Sequence, residues 1–231
     1  MRVRAVFFDF GGTLGSLDPV IEKPWKAWVT AARDLHLELA PLEIRRVNEE
    51  ADRNFEGQIY KFHGRTEEFW RLRDMWAIDR LGLTSEREEL FNALQKIFAD
   101  PSQVHLYPET VQVLREARRK VRHMGVISNF TDALLKVLDF HQLSAYFDSV
   151  TYSQEVGFAK PDPRVFRRAL GRAGCRPEDA LHVGDSWESD YEGALDAGLG
   201  AVWLNRTERQ SLRPCREIKD LTGLTPMLEP E

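Results

Sequence analysis

The sequence is poor in cysteine and lacks a long apolar segment. Only two cysteines, Cys175 and Cys215, occur among its 231 residues. They are too few for a disulfide framework and are not spaced as metal ligands, so a reducing cytoplasm is the expected compartment. The apolar run near Met1 is too short for a signal peptide, and no stretch approaches the ~20 apolar residues of a spanning helix. We therefore expect no association with a membrane.

The sequence also lacks an excess of positive charge. Its formal net charge is −5, and its isoelectric point is about 5.8. General nucleic-acid binding is not expected, because no basic field is available to displace counterions from a phosphate backbone. Apolar residues make up 42% and charged residues 30% of the chain, which is typical of a globular protein rather than a disordered one.

The spacing of apolar residues changes along the chain. Residues 3–8 form a short run of apolar, β-branched and aromatic side chains that predicts a buried strand. Between about 17 and 100, glycine is sparse and apolar residues recur every three or four positions, as in Phe69, Leu72 and Trp76. This spacing predicts a bundle of four helices. The predicted helices lie near residues 22–38, 41–60, 65–82 and 84–100.

After Pro108, short apolar runs alternate with helical segments. Such alternation indicates a parallel sheet with helices on both faces. The predicted strands lie at residues 124–127, 149–152, 181–183 and 201–204. We therefore predict an α/β protein with a Rossmann-like, doubly wound parallel sheet. Its core domain comprises residues 1–16 and 101–231, and an inserted α-helical bundle comprises residues 17–100.

The residues that follow each predicted strand are informative, because ligands of an open parallel sheet bind beyond the carboxyl ends of its strands. The first four predicted strands lead to side chains that can take part in polar chemistry: carboxylates, a hydroxyl, an amide and an ammonium. In chain order they are Asp9, Ser128, Asn129, Lys160, Asp185 and Asp190. We expect them to meet at one edge of the sheet.

Four segments around these residues resemble the signature motifs of the haloacid dehalogenase-like hydrolase superfamily. They span residues 9–14, 126–129, 157–163 and 184–190, and together they cover the whole predicted core. The helical insert resembles the α-helical type 1 cap of that superfamily, since it lies between the first and second motifs. Within the insert, His63 and Arg65 are candidates for contact with a substrate.

The resemblance implies a Mg²⁺-dependent phosphohydrolase that acts on a small phosphorylated metabolite. Asp9 is expected to attack phosphorus and to form an aspartyl-phosphate. The expected ligands of Mg²⁺ are Asp9, the main-chain carbonyl of Gly11 and Asp185, because this ion prefers oxygen. Asp190 is expected to be either a further ligand or an outer support of the site.

The remaining motif residues are expected to bind the transferring phosphoryl group. Ser128 and the neighbouring amides would hold its oxygens, and Asn129 would add a further hydrogen bond. Lys160 would neutralise its charge and brace Asp9, and Thr13 resembles the threonine that supports the first loop. The chain is expected to act as a monomer or a homodimer.

One position departs from the pattern of the superfamily's phosphatases. They usually carry a second aspartate two residues after the nucleophile, which protonates the leaving group, whereas this chain has Gly11. Such acid–base help typically contributes about 10²- to 10⁴-fold in rate. Three consequences are open: a substrate with a good leaving group, such as an acyl or anomeric phosphate; a proton donor from the cap or Glu188; or a slow or silent relative.

Three other functions are compatible with the same nucleophile or scaffold. A 2-haloacid dehalogenase attacks carbon without a metal, but its fourth motif resembles Ser-Ser-Asn rather than Gly184-Asp185. A phosphonate hydrolase has a small residue at the position of Gly11 and needs a cap lysine. The lysines considered in the insert are Lys23, Lys26 and Lys61. An interaction module without activity has no reason to keep five polar residues at strand ends, where each costs desolvation.

Overall fold

The computed structural model describes residues 3–17, 25–55, 58, 62, 66–207, 210–211 and 213–228. Four residues of interest, Lys23, Lys61, His63 and Arg65, lie outside the described residues. The chain forms two compact units: the first comprises Met1–Gly15 and Leu106–Glu231, and the second comprises Ser16–His105. That the second unit serves as a cap stays a prediction. None of the described helices is both long and apolar enough to cross a membrane.

The first unit is built on a parallel sheet. In chain order, the strands among the described residues are β1 (Ala5–Phe8), β2 (Gly15–Leu17), β3 (Val104–Leu106), β4 (His123–Ser128), β5 (Ser149–Tyr152), β6 (Ala180–Gly184), β7 (Gly200–Leu204) and β8 (Glu217–Ile218). Six of them form the sheet, in the order β5-β4-β1-β6-β7-β8, and β2 pairs with β3. All neighbouring strands of the large sheet are parallel. The predicted α/β class with a Rossmann-like sheet is therefore confirmed.

Strand β1 lies in the middle of this sheet, between β4 and β6. All four of its residues are fully buried, which explains the continuous apolar run, because side chains on both faces of the strand are covered. Phe8 lies beside Val126 of β4 and Val183 of β6. The three strands therefore end at the same edge, and the residues that follow them converge there.

Nine α-helices lie among the described residues. They are α1 (Trp25–Asp34), α2 (Pro41–Phe55), α3 (Thr66–Arg80), α4 (Arg87–Phe98), α5 (Thr110–Arg118), α6 (Ala133–Phe140), α7 (Ser153–Val156), α8 (Pro163–Ala173) and α9 (Gly193–Asp196). Helix α8 shows how local sequence signals set the ends of a helix. At the start of α8, the Asp162 side chain accepts a hydrogen bond from the amide of Arg164 at 2.9 Å, and Pro163 occupies the first position. Gly174 ends the helix with a φ of +58°.

The second unit contains α1 to α4, and each of these helices lies inside one of the four predicted ranges. Their buried side chains form one core that includes Trp28, Ile44, Ile78, Leu90 and Leu94. Helix α1 ends at Asp34, before the predicted end at residue 38, because the chain turns at His36 with a φ of +55°. Leu72 shares the apolar spacing of α3 but is 51% exposed.

A buried ion pair lies within this helical core. Arg73 and Asp74 of α3 are 3% and 4% exposed, and Nη1 of Arg73 lies 3.0 Å from Oδ1 of Asp74. Arg73 also donates to Oδ1 of Asn48 at 2.8 Å and to the carboxylate of Asp52. Burial raises the pKa of Asp74 to about 6; the charge of Arg73 opposes this shift and that of Asp52 adds to it.

Asp74 is therefore expected to lower the stability of the fold at neutral pH. Its folded-state pKa lies above the unfolded value of 3.8, so ionisation above about pH 6 is unfavourable, and this cost disappears as the pH falls. Asp74→Asn keeps an acceptor for Arg73 and should raise the free energy of unfolding at pH 8 by up to about 3 kcal/mol. The gain should shrink toward pH 4. Denaturant unfolding at several pH values measures it.

Asp79→Asn is the matched control, because Asp79 lies on the same helix but is half exposed and pairs with Arg87 at the surface. Its effect should be small and nearly independent of pH. A loss of stability in Asp74→Asn at pH 8 would show that the attraction to Arg73 exceeds the cost of desolvation.

Candidate active site

Three carboxylates converge at the carboxyl edge of the sheet. Asp9 follows β1, and its amide donates to the carbonyl of Val183 in β6 at 2.9 Å, which fixes the start of the loop beside β6. Asp185 follows β6, and Asp190 lies five residues later. One oxygen from each of the three carboxylates lies within 4.8 Å of the other two. The structure thus brings together side chains that are separated by up to 181 residues, from Asp9 to Asp190.

Lys160 places a buried ammonium group among these carboxylates. Its side chain is 2% exposed, and Nζ donates to Oδ1 of Asp9 at 2.7 Å and to Oδ1 of Asp190 at 2.6 Å. The third bond of Nζ reaches the carbonyl of Ile127 at 2.8 Å. An ammonium has three donors, so all are satisfied. Burial disfavours the charged form, but Asp190 and Asp9 outweigh this and raise the pKa of Lys160.

Asn129 holds the main chain of Lys160 in place. The amide of Lys160 donates to Oδ1 of Asn129 at 2.7 Å, and Nδ2 of Asn129 donates to the carbonyl of Lys160 at 3.0 Å. This paired contact fixes the position from which the lysine side chain reaches the carboxylates. Only the second N–H of the Asn129 side chain is therefore left to donate the expected hydrogen bond to a phosphoryl group.

Asp190 is the most enclosed of the three carboxylates. It lies in a short π-helix, Trp187–Glu192, and is 1% exposed. Its Oδ1 lies 2.9 Å from Nε2 of His182, and its Oδ2 accepts from the amide of Ser186 at 3.0 Å. Desolvation opposes ionisation of Asp190, but the charge of Lys160 and the contact with His182 outweigh it and lower its pKa. A Cβ on Gly184 would lie 2.2 Å from Cγ of Asp190, so this approach requires glycine.

Asp185 is the exposed member of the set. Protein nevertheless surrounds its carboxyl group closely enough that desolvation, followed by the charges of Asp9 and Asp190, raises its pKa to about 7. Desolvation also raises the pKa of Asp9, against the effect of Lys160. The three carboxylates thus carry more negative charge than the single ammonium compensates. A hard divalent cation, which prefers oxygen ligands, fits this set of donors.

The loop that follows Asp9, residues 10–15 (the Asp9 loop), is a tight turn. The amides of Thr13, Leu14 and Gly15 all donate to the carbonyl of Phe10 at 2.9–3.2 Å. Gly12 has a φ of +73°, and a Cβ on it would lie 2.4 Å from Oδ2 of Asp185, so the backbone and this carboxylate are in close contact. At Gly11, in contrast, a Cβ would meet no heavy atom within 4 Å.

Ser128 and Thr13 complete the set of residues singled out by the sequence. Ser128 ends β4, is 3% exposed and makes a side-chain hydrogen bond with Asp9. Thr13 is fully buried, and its hydroxyl has no partner among the described residues. Of the predicted residues, Ser128 contacts Asp9 directly, whereas Thr13 lies within the Asp9 loop.

Sequence reasoning missed two residues beside the site. His182 contacts Asp190, and the guanidinium of Arg206 donates to the carbonyls of Gly12 and Thr13. A histidine within the otherwise apolar strand β6 was a usable signal, because a fully buried polar side chain requires a partner. Arg206 gave no comparable signal, since it follows β7 in a stretch without a recognised motif.

Comparison with known proteins agrees with this geometry. A family model described as haloacid dehalogenase-like hydrolase matches residues 3–198. The chain belongs to the haloacid dehalogenase-like hydrolases, and it is therefore an enzyme of a hydrolase family. The resemblance inferred from the four sequence motifs is confirmed.

Three similar proteins illustrate the range of this family. A phosphoserine phosphatase from Thermus thermophilus is 39% identical over 140 residues, which is 60% of this chain and about half of that protein, 53%. The structure of a HAD phosphatase from Thermococcus onnurineus has a TM-score of 0.72 and 27% identity and covers 99% of both chains. A 2-haloacid dehalogenase from Pseudomonas syringae has a TM-score of 0.72 and 25% identity and covers 98% of this chain and 97% of its own.

The buried ammonium of Lys160 is expected to stabilise the fold as well as the site. Lys160→Met keeps the length of the side chain but leaves Asp9 and Asp190 without their shared cation. Because removal of one partner strands buried charge, the free energy of unfolding should fall by about 3–5 kcal/mol. Denaturant unfolding near pH 8 measures this loss.

Lys120→Met is the control, since Nζ of Lys120 donates to a single carbonyl, that of Thr225, at 2.7 Å. Loss of one such bond should cost about 1 kcal/mol. Equal effects of the two substitutions would mean that the ammonium of Lys160 contributes no particular stabilisation.

Proposed function

We propose that this chain is a Mg²⁺-dependent phosphohydrolase that acts on a small phosphorylated metabolite, with Asp9 as its nucleophile. The observation that carries the proposal is the convergence of three carboxylates, with oxygens within 4.8 Å of one another, beside the ammonium of Lys160. Such a set can bind a cation and a phosphoryl group next to each other. The names of the similar phosphatases from Thermus thermophilus and Thermococcus onnurineus support the same reaction.

Asp9, Asp185 and the main-chain carbonyl of Gly11 are the proposed ligands of Mg²⁺. Asp190 is proposed as an outer support, because Lys160, His182 and Ser186 already occupy its oxygens. When bound, Mg²⁺ supplies positive charge that reduces the repulsion between a carboxylate and a phosphate dianion.

In the proposed reaction, a carboxylate oxygen of Asp9 forms a bond to phosphorus while the bond from phosphorus to the leaving-group oxygen breaks. Water then attacks the phosphorus of the aspartyl-phosphate, which releases phosphate and restores Asp9. Lys160 favours the ionised, nucleophilic form of Asp9 against the effect of burial on its pKa. Ser128, the amides beside it and the free N–H of Asn129 are proposed to hold the phosphoryl oxygens.

Dehalogenation is the alternative, and the similarity to the dehalogenase from Pseudomonas syringae supports it. The charges of the site favour phosphoryl transfer. Attack of an aspartate on carbon needs no metal, whereas here Asp185 lies close to two further carboxylates and its pKa is raised to about 7. A site with this much uncompensated negative charge is better suited to a reaction that uses a cation.

The first test combines loss of the nucleophile with removal of divalent ions. Asp9→Asn keeps the size of the side chain but not its nucleophilic charge, and it should lower turnover of p-nitrophenyl phosphate by several orders of magnitude. Treatment of the unchanged protein with EDTA should abolish turnover, and added Mg²⁺ should restore it. Release of p-nitrophenol provides the measurement.

Asp139→Asn is the control for this test, because Asp139 is an exposed aspartate of α6 in the same unit and lies outside the four motif segments. It should leave turnover unchanged. Turnover that persists in EDTA, together with halide release from 2-chloropropionate, would support the dehalogenase alternative. Near-normal turnover by Asp9→Asn would require a different nucleophile.

There is free space at Gly11, the position where related phosphatases carry the general acid. A Cβ on Gly11 meets no heavy atom within 4 Å, and the φ of Gly11 is not in the left-handed region. A Cβ at this position therefore fits without displacing any described neighbour. Substrates with good leaving groups, such as acyl or anomeric phosphates, are proposed, because their departure needs little protonation.

Gly11→Asp is expected to increase hydrolysis of phosphoesters with poor leaving groups, such as alkyl phosphates, by about 10²- to 10⁴-fold. Hydrolysis of p-nitrophenyl phosphate should change much less, because its leaving group is already stable as an anion. Gly11→Asn is the matched control, since it fills the same volume but cannot donate a carboxyl proton. Equal rates for both variants and the unchanged protein on alkyl phosphates would mean that another group already donates the proton.

A further inference from the structure

Arg206 connects the end of strand β7 with the Asp9 loop. Its Nε donates to the carbonyl of Gly12 at 3.1 Å, and its Nη2 donates to the carbonyl of Thr13 at 2.9 Å. The two carbonyls belong to consecutive residues, so the planar guanidinium binds them as a pair. Arg206 lies 194 positions after Gly12 in the sequence. The contact is therefore a property of the folded core.

The guanidinium is itself held by the segment that precedes α5. Nη1 of Arg206 lies 2.8 Å from Oε1 of Glu109, and the guanidinium carbon lies 3.5 Å from the centre of the Tyr107 ring. The side chains of Arg206 and Glu109 are only 18% and 15% exposed. A mostly buried arginine with a carboxylate, two carbonyls and an aromatic face has little freedom to move.

The same segment also binds the next carbonyl of the loop. The hydroxyl of Thr110 donates to the carbonyl of Leu14 at 2.6 Å, and the amide of Tyr107 donates to it at 3.2 Å. Three successive carbonyls, those of Gly12, Thr13 and Leu14, therefore receive hydrogen bonds from outside the loop. The loop is therefore held by hydrogen bonds from Arg206, Tyr107 and Thr110 as well as by the hydrogen bonds of its own turn.

The position of this loop matters because Gly12 is packed against Asp185. A Cβ added to Gly12 would lie only 2.4 Å from Oδ2 of Asp185. Small movements of the loop therefore change the distance between its backbone and this carboxylate. Gly11 lies one residue before Gly12 on the same loop, and Asp9 lies immediately before the loop. Any displacement of Gly12 is thus transmitted to the other proposed ligands.

We propose that Arg206 is a positioning residue: its bonds to Gly12 and Thr13 hold the Asp9 loop where Asp9 and Gly11 can bind a divalent cation together with Asp185. The part that concerns the cation rests on the proposed function. Arg206 has no contact with the three carboxylates among the described interactions, so it acts through the main chain of the loop.

The test compares Arg206→Met and Arg206→Lys with the unchanged protein. The dissociation constant of Mg²⁺ is measured by isothermal titration calorimetry, and hydrogen exchange is measured at the amides of Gly12, Leu14 and Gly15. Arg206→Met should weaken Mg²⁺ binding by about 10- to 100-fold, as is typical for residues that orient a ligand. Exchange in the loop should become faster. Arg206→Lys should give intermediate values, because an ammonium can replace one of the two carbonyl contacts.

Arg172→Met is the matched control. Arg172 is also partly buried in the first unit, at 27% exposure, and it likewise binds a main-chain carbonyl, that of Val150, and a carboxylate, that of Glu155. This variant should lose stability without a change in the dissociation constant or in exchange of the loop.

Equal values for Arg206→Met and Arg172→Met in both measurements would overturn the inference. If the unchanged protein binds no Mg²⁺, the proposed function fails instead, and exchange of the loop alone then decides the role of Arg206. Faster exchange in Arg206→Met would still show that Arg206 holds the loop, and unchanged exchange would show that it does not. Should Arg206→Met fail to fold, Arg206→Lys serves for the same comparison.

Discussion

The shared ammonium of Lys160 is the interaction on which the rest of the site depends. It binds the buried carboxylates of Asp9 and Asp190 together, and its charge offsets part of the cost of burying both of them. The surrounding residues serve this arrangement: Asn129 fixes the main chain of the lysine, and Gly184 lets Asp190 approach closely. The three donors of the ammonium go to Asp9, Asp190 and the carbonyl of Ile127, so its charge lowers the pKa of Asp185 only from a distance. The negative charge that remains is what a cation would balance.

The geometry of the main chain sets the second constraint. Parallel strands β4, β1 and β6 end within two residues of one another, which brings the three segments that follow them to one edge of the sheet. At this edge, glycine occurs where backbone and carboxylate touch, at Gly12 and Gly184, whereas a Cβ on Gly11 would meet no heavy atom of the described residues within 4 Å. The glycines of the first motif thus have different roles: one is required by contact, and the other leaves room.

The sequence was sufficient for those features that depend on order along the chain. Alternating strands and helices predict a parallel sheet, and residues after strand ends must meet at its edge, so Asp9, Lys160 and Asp185 could be placed beside one another. Partners that depend on the face of a strand or on contacts between distant loops could not be derived, as His182 and Arg206 show. Helical spacing alone does not reveal the width of a buried face, as the 51% exposure of Leu72 shows.

The central place of β1 in the sheet has a consequence for synthesis of the protein. This strand leaves the ribosome before its neighbours β4 and β6, which begin only at His123 and Ala180. The chain between Ser16 and His105 forms a unit with its own core and can fold while the sheet is still incomplete. Four apolar residues of β1 therefore remain unpaired on the nascent chain until most of the polypeptide has emerged, a period in which chaperones have access to them.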